Sequence, residues 1–286
     1  GLQCVVLCPG SRSGPLAIAA GGLAECNQLK LITSIDERSA AFMALGMSAA
    51  KGKAIVVITT SGSAVANLLP AAIEADRSCC PLILITADRP ARLKNCGANQ
   101  TINQEDFLKS VCRSFESGPS EGFHKITPSI LDELANRVWT KAHDYSGPVH
   151  LNLPIEEPLY PSEFDQKEIW NKWLKNSSKP INMPPLNRKN LAIDDLEKIS
   201  FLDFKNEGVI VIGPWRGGPE KELIDFNNSL KTFHLITGWP IFADPLSGVS
   251  IDQPGLINHW ELLIDSKEIP EIKNLQVLRV GFSACK

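Results

Sequence analysis

The feature that most constrains this chain is an alternation. Short apolar, β-branched runs at 4–8, 31–35, 54–59, 82–86 and 149–153 are separated by helix-like stretches at 15–24, 39–51, 64–75, 104–111 and 128–143. Strands of five or six residues alternating with longer helices make β-α-β units, and β-α-β units make a parallel sheet. Runs such as Ile55-Val56-Val57-Ile58 are apolar throughout. A strand covered by helices on both faces needs that pattern.

After residue 153 the character changes. Six prolines (154, 158, 161, 180, 184 and 185) and two tryptophans (170 and 173) fall in a stretch with no clear strand. Proline at that density disfavours regular structure, so 154–189 reads as an interdomain linker. The tryptophans imply that it packs on a domain. The alternation then resumes, with a helix over 194–201, a strand over 208–212, a helix over 219–230, and strands over 233–236 and 276–280. The expected fold class is α/β, with two doubly wound parallel-sheet domains, 1–153 and 190–286. A length of 286 residues fits two such domains. The chain starts at Gly1 directly before a strand-like run and stops just after another, as a piece of a longer protein would.

Composition narrows the function. Hydrophobic residues are 43% and charged residues 21%, which excludes a disordered chain. No apolar run approaches the roughly 20 residues of a membrane-spanning helix. The formal charge of −3 argues against nucleic-acid or membrane-surface binding. None of the eight cysteines forms C-x-x-C or has zinc spacing with histidine, so no metal site is read. They read as reduced thiols of an intracellular protein. No signal peptide is visible.

In open α/β sheets, ligands bind in loops beyond the carboxyl ends of strands. Four such loops stand out. Pro9-Gly10-Ser11-Arg12-Ser13 offers a tight turn, free helix N–H groups and a bidentate cation. Asp36-Glu37-Arg38-Ser39 presents carboxylates at a strand end, and taken alone it reads first as a helix cap, with Asp36 at the cap and Glu37 in the first turn. Thr59-Thr60-Ser61-Gly62-Ser63 is a hydroxyl-rich turn without the spacing of a serine-hydrolase elbow. The 87–101 loop holds Arg89, Arg92, Asn99 and Gln100, and a loop of that length is usually functional or disordered. In the second domain, 213–218 only loosely resembles a dinucleotide loop, and Trp239 reads as packing.

Together P-G-S-R-S, D-E-R-S-A-A-F, T-S-G-S-A-V-A-N-L-L-P-A, T-A-D-R-P and G-A-N-Q-T-I, with G-W-P-I-F-A-D-P-L-S-G at 238–248, resemble a family of thiamine-diphosphate-dependent synthases over almost the whole chain. The resemblance implies a pyrimidine-binding domain at 1–153 and a central Rossmann-like domain at 190–286. The family's third, diphosphate-binding domain carries a G-D-G…N motif that this sequence lacks, which implies that the isolated chain is inactive. Glu37 resembles the glutamate that hydrogen-bonds the cofactor's pyrimidine at N1′, a proton-exchanging role. Ser61 and Gly62 match cofactor-contacting positions. Ser11, Arg12, Arg89, Asn99 and Gln100 match substrate-binding ones. The implied cofactors are thiamine diphosphate and Mg²⁺ or Mn²⁺. The implied substrates are the dicarboxylates 2-oxoglutarate and isochorismate, joined with loss of carbon dioxide on the route to menaquinone or phylloquinone. The implied assembly is a homodimer or homotetramer, with cofactor between domains of two chains. The alanine-rich segment Ala40, Ala41, Ala44 and Gly46 hints at close helix approach. The implied location is the cytoplasm, or a plastid or cyanobacterial cytosol. An acetolactate-synthase-like enzyme is a second reading, disfavoured by the arginine-rich loops. A non-catalytic α/β assembly module is a third, disfavoured by Glu37.

Overall fold

The computed structural model describes residues 2–120, 126–176, 202–215, 220–265 and 275–281. Two compact units result, Gly1–Asn187 and Arg188–Lys286.

The first unit begins with β1 (Cys4–Leu7), α1 (Gly14–Glu25), β2 (Lys30–Thr33), α2 (Glu37–Lys51) and β3 (Ile55–Thr59). It continues through α3 (Ser63–Ala66), α4 (Leu69–Arg77), β4 (Leu82–Asp88), β5 (Ser114–Ser117), α5 (Pro128–Asp144), β6 (Pro148–Pro154) and α6 (Glu163–Asn176). The sheet runs in the order β2-β1-β3-β4-β6-β5, and every neighbouring pair is parallel. All six carboxyl ends therefore lie along one edge. The chain leaves β1 for β2 on one side and returns to β3 on the other, so the topological switch falls between β1 and β3, where such sheets bind ligands.

Both sheet faces are covered. Val6, Ile55, Val57, Leu82 and Leu84 pack with the buried alanines of α2 and α4. Val5, Val56, Ile83, Val149 and Leu151 pack on the other face against Leu134, Val138 and Trp139 of α5. The period of four in α5 puts those side chains on one stripe. Ala40, Ala41 and Ala44 are wholly buried against their own sheet. The close approach expected of them is made within the chain, to the sheet and to the alanines of α4, whereas Gly46 is exposed.

The second unit is smaller: β7 (Gly208–Ile212), α7 (Glu220–Thr237), β8 (Ile241–Ala243), α8 (Trp260–Asp265) and β9 (Gln276–Val280). Its parallel sheet has the order β8-β7-β9. Ile210, Ile212, Leu230, Trp239 and Ile241 form the core, as the packing role of Trp239 requires.

Several boundaries differ from the sequence reading, each for a local reason. Residues 233–236 are helix and not strand: they finish α7, which ends at Gly238, whose N–H donates to His234 O at 2.7 Å. The expected helix over 64–75 is two helices. Pro70 has no N–H to give Ala66 O, so the helical ladder breaks there. Residues 104–111 form a single 3-10 turn, Gln104–Asp106, followed by irregular turns rather than the expected helix. β2 starts and ends earlier than 31–35, leaving Ile35 exposed.

The stretch read as irregular linker contains α6. Its start is a reciprocal cap: Ser162 Oγ accepts from Asp165 N–H at 3.2 Å and donates to Asp165 Oδ2 at 2.6 Å. Edge strand β5 was not expected from the sequence at all. The 194–201 helix, much of the 213–218 loop, the side chains of Trp170 and Trp173, and Cys285 lie outside the described residues. The other seven cysteines are free.

Candidate active site at the sheet's carboxyl edge

The loops after β1 and β3 meet at the switch point. A Cβ on Gly10 would stand 2.4 Å from Thr60 Cβ, so only glycine lets the two turns come this close. The β3 turn then reaches Gly62, at φ +86° and ψ −142°, a region essentially restricted to glycine. A Cβ there would lie 2.7 Å from Gln100 Cγ. Gln100 thus roofs the turn: its Nε2 donates to Ser61 O at 2.9 Å.

Arg89, just past β4, ties the same pieces together. Its Nη1 donates to Ser61 Oγ and to Gln100 O, the latter at 2.9 Å. Nη2 and Nε have no partner among the described residues and are available to an anion. Burial, then the neighbouring Arg12 charge, pulls the Arg89 pKa below the ordinary arginine value, with Asp88 and Glu157 acting the other way. The guanidinium stays charged at any physiological pH.

Arg12 differs from the expectation of an exposed clamp. It is 6% exposed. Nη1 donates to Ile155 O at 3.1 Å and Nη2 to Glu157 Oε1 at 3.0 Å, while buried Nε has no protein partner. Arg12 therefore holds the chain leaving β6 across the β1 turn. Two of its five N–H donors are committed in this way, and the buried Nε is one of those left over.

Glu37 opens α2, with Asp36 capping the helix by accepting from Ser39 N–H at 2.7 Å. The helix-cap reading of Asp36 thus holds, and it frees Glu37 for another task. Glu37 Oε2 accepts from Asn67 Nδ2 at 3.1 Å, and Oε1 has no partner among the described residues. Cys8, beneath at the end of β1, has its thiol pushed up to about 12 by burial and then by the charges of Glu37 and Asp36. It is inert as a nucleophile.

The structure thus joins Ser61, Gly62, Arg89 and Gln100 directly, sets Arg12 beside them, and links Glu37 to the end of α3 through Asn67. It does not join Ser11 or Asn99. Both are exposed, and neither side chain makes a hydrogen bond to another described residue. Sequence reasoning missed Gln104, Asn152, Asp88 and Lys94, which form a buried polar cluster under the loops. The signal was present: His150 and Asn152 alternate with apolar residues in V-H-L-N-L, where a strand covered on both faces should be apolar throughout.

A free carboxylate oxygen beside a glycine-walled turn fits the aminopyrimidine end of thiamine diphosphate. The buried Thr59 Oγ1, orphaned in the same strand end, is a further polar atom without a partner. Among the described residues no group of three or more metal-ligating side chains gathers, so no metal role is assigned to them.

Comparison with known proteins agrees with the geometry. Residues 1–107 match the family described as "Thiamine pyrophosphate enzyme, N-terminal TPP binding domain". Residues 1–107 thus carry the N-terminal domain of that family. Along nearly all of its length it is similar to curated proteins named 2-succinyl-5-enolpyruvyl-6-hydroxy-3-cyclohexene-1-carboxylate synthase. One from Prochlorococcus marinus is 53% identical over 285 residues, covering 100% of this chain and 50% of the relative. That of Prochlorococcus marinus strain NATL2A is 54% identical over 281 residues, 98% of this chain and 47% of the relative. That of Synechococcus sp. strain WH7803 is 52% identical over 281 residues, 98% and 48% respectively. The chain spans about half the length of the curated relatives it matches.

Proposed function

We propose that this chain is the pyrimidine-binding and central portion of a thiamine-diphosphate-dependent synthase. That enzyme would decarboxylate 2-oxoglutarate and add the resulting succinyl-type unit to isochorismate, on the route to menaquinone or phylloquinone. The observation that carries the reading is identity of about half the residues, over nearly the whole chain, with curated synthases named for that product.

When bound, thiamine diphosphate supplies the electron sink that decarboxylation needs. The chain's own residues do the rest of what is described here. Asn67 keeps the Glu37 carboxyl oriented, and the free Oε1 would exchange a proton with the pyrimidine N1′ of the bound cofactor. Gly62 leaves room for the ring. Arg89 offers Nη2 and Nε to a substrate carboxylate, a charge-assisted contact that a planar guanidinium makes in bidentate form. Arg12 adds positive potential beside it. Ser11, Asn99 and Gln100 would contact substrate from the rim. Mg²⁺ is proposed as the metal partner of the diphosphate, and a homodimer as the smallest active assembly.

The test is an assay of the full-length protein with thiamine diphosphate and Mg²⁺. Carbon dioxide release from 2-oxoglutarate, coupled to consumption of isochorismate, is expected. Preference for pyruvate, or turnover that ignores thiamine diphosphate, would overturn the proposal. The 286-residue chain alone is expected to show no turnover in the same assay.

A further inference from the structure

We infer that Gln104 is a positioning residue: it fixes the Gly62 turn in register with the 89–101 loop without touching cofactor or substrate. The inference rests on the proposed function for what the turn is for, and on the hydrogen bonds alone for how the turn is held.

Gln104 is fully buried. Both ends of its amide are used. Oε1 accepts from Gly62 N–H at 3.0 Å, and Nε2 donates to Ala87 O at 3.0 Å and Asn152 Oδ1 at 2.8 Å. Asn152 passes the connection on, donating from Nδ2 to Asp88 Oδ2 at 2.8 Å. That oxygen also takes Lys94 Nζ at 2.8 Å, and Lys94 pairs with Glu105, the neighbour of Gln104. Asp88 Oδ1 accepts from Arg89 N–H at 2.7 Å. One circuit, buried at Gln104, Asn152 and Asp88 and half-buried at Lys94 and Glu105, therefore runs from the β3 turn, through the ends of β4 and β6, into the loop that carries Arg89 and Gln100.

Two physical points make this more than core satisfaction. Glycine reaches φ +86°, ψ −142° without steric cost but is equally free to leave it, and Gln104 Oε1 is the acceptor that orients the Gly62 peptide. Burying a primary amide costs free energy unless every group is paired, and an apolar side chain of the same volume avoids that cost. What the amide provides here is direction. It fixes Ser61, and with it the Arg89 and Gln100 contacts, relative to the ends of β4 and β6.

The test uses the full-length protein with Gln104→Met and Gln104→Glu. Methionine keeps the volume and loses both hydrogen-bonding ends. Glutamate as a carboxylate still accepts from Gly62 N–H, but its second oxygen then faces two acceptors, Ala87 O and Asn152 Oδ1, with Asp88 just beyond. Protonation restores one donor. In Gln104→Met, amide exchange of a peptide containing Gly62 should accelerate about tenfold or more, the loss of roughly one hydrogen bond, while β1 and β4 peptides keep their protection. The thiamine diphosphate KM should rise by a similar factor, with kcat at saturating cofactor within about twofold. Gln104→Glu keeps the acceptor for Gly62 N–H and loses the donor side, so it should show the raised thiamine diphosphate KM at about pH 8 and recover towards pH 6 as a buried carboxyl takes up its proton, a profile the parent lacks.

Unchanged Gly62 exchange with a normal cofactor KM would overturn the inference. So would protection lost equally across the sheet, or a flat pH profile in Gln104→Glu. If Gln104→Met does not fold, the glutamate profile decides alone. Faster Gly62 exchange in a protein whose parent form ignores thiamine diphosphate would overturn the functional reading and leave the positioning of the turn standing.

Discussion

Arg12 and Arg89 are neighbours at the sheet edge, yet truncation should separate them. Arg12→Ala strips the hydrogen bonds from buried Ile155 O and releases Glu157, which is 64% exposed and re-solvates easily. Leaving one buried carbonyl unpaired costs about 1–3 kcal/mol, so this variant should melt measurably below the parent. Arg89→Ala unpairs the buried Ser61 hydroxyl, so it too should lose some stability, and what sets it apart is a rise in the apparent KM of a dicarboxylate of roughly 10- to 200-fold, the worth of one charge-assisted contact. Paired thermal melts and steady-state kinetics of the full-length protein check both. Normal dicarboxylate affinity in Arg89→Ala would remove it from the substrate site. Glu37→Gln should keep the fold and reduce turnover by about 10²–10⁴, since an amide cannot exchange the N1′ proton. His150 carries a different prediction. The Thr86 hydroxyl donates to Asn152 Oδ1, so it must accept from His150 Nε2–H at 2.8 Å, which leaves Nδ1 unprotonated and buried without a partner. Burial pushes the His150 pKa down to about 4, against a weaker pull upward from Asp88. The unfolded chain takes up this proton near pH 6.5, and the folded chain only near 4. Stability from this group is thus complete above 6.5 and is lost as pH falls between those values, by about 3 kcal/mol in all. His150→Gln keeps a donor for Thr86 and cannot titrate, so its stability should fall less steeply over that window in chemical denaturation. An unchanged slope would contradict the assignment.

At the scale of elements, strands were legible wherever burial on both faces made them apolar, as in β1, β3 and the first half of β4. They were illegible where the sheet meets solvent. β5 alternates half-buried and exposed residues, and its S-F-E-S sequence gives no apolar run. The four site loops were readable because glycine, proline and charge collect at strand ends. The buried circuit beneath them was not read, because Gln104, Asn152 and Asp88 come together only once β4 and β6 pair in register, with Thr86 opposite Asn152 and Asp88 opposite Pro154. The 233–236 segment was misread because aromatic and aliphatic residues in a row satisfy a strand as well as a helix. Here Phe233 packs inward, while Leu235 and Ile236 are exposed at the end of α7. The Gly62 turn belongs to this scale too. Gly62→Ala would force a Cβ into Gln100 and hold alanine at a positive φ, at a cost of about 1–3 kcal/mol. If the turn relaxes to avoid that cost, Arg89 loses Ser61. A crystal structure of Gly62→Ala should therefore show the 89–101 loop displaced while β3 and β4 stay in place. An unmoved loop would mean that the turn and the loop are not coupled.

For the whole molecule, the question is how two copies would meet. Ala40, Ala41 and Ala44 face inward, while Gly46 on the same helix is exposed. Larger exposed side chains, Phe42 and Met43 among them, lie near it in sequence. Ile35 before α2, Phe42 and Met43 on it, and Ile73 on neighbouring α4 are 87%, 41%, 44% and 39% exposed. Exposed apolar side chains on and before the helix that Glu37 opens are a surface that a partner would cover. A second copy of the full-length protein is the occupant that the proposed function favours, since in the resembled family the cofactor lies between domains of two chains. The full-length protein should then sediment as a dimer or larger. Phe42→Asp should weaken that association by desolvating a charge, and Met43→Lys should do so to a smaller extent because a lysine stem can lie along apolar surface. Turnover should fall with dilution over the same concentration range as dissociation, because a site that needs both copies vanishes when they part. Sedimentation velocity of the parent and Phe42→Asp proteins, run beside dilution kinetics, separates the outcomes. A parent protein that stays fully active as a monomer would show that the exposed face of α2 serves something other than the active site.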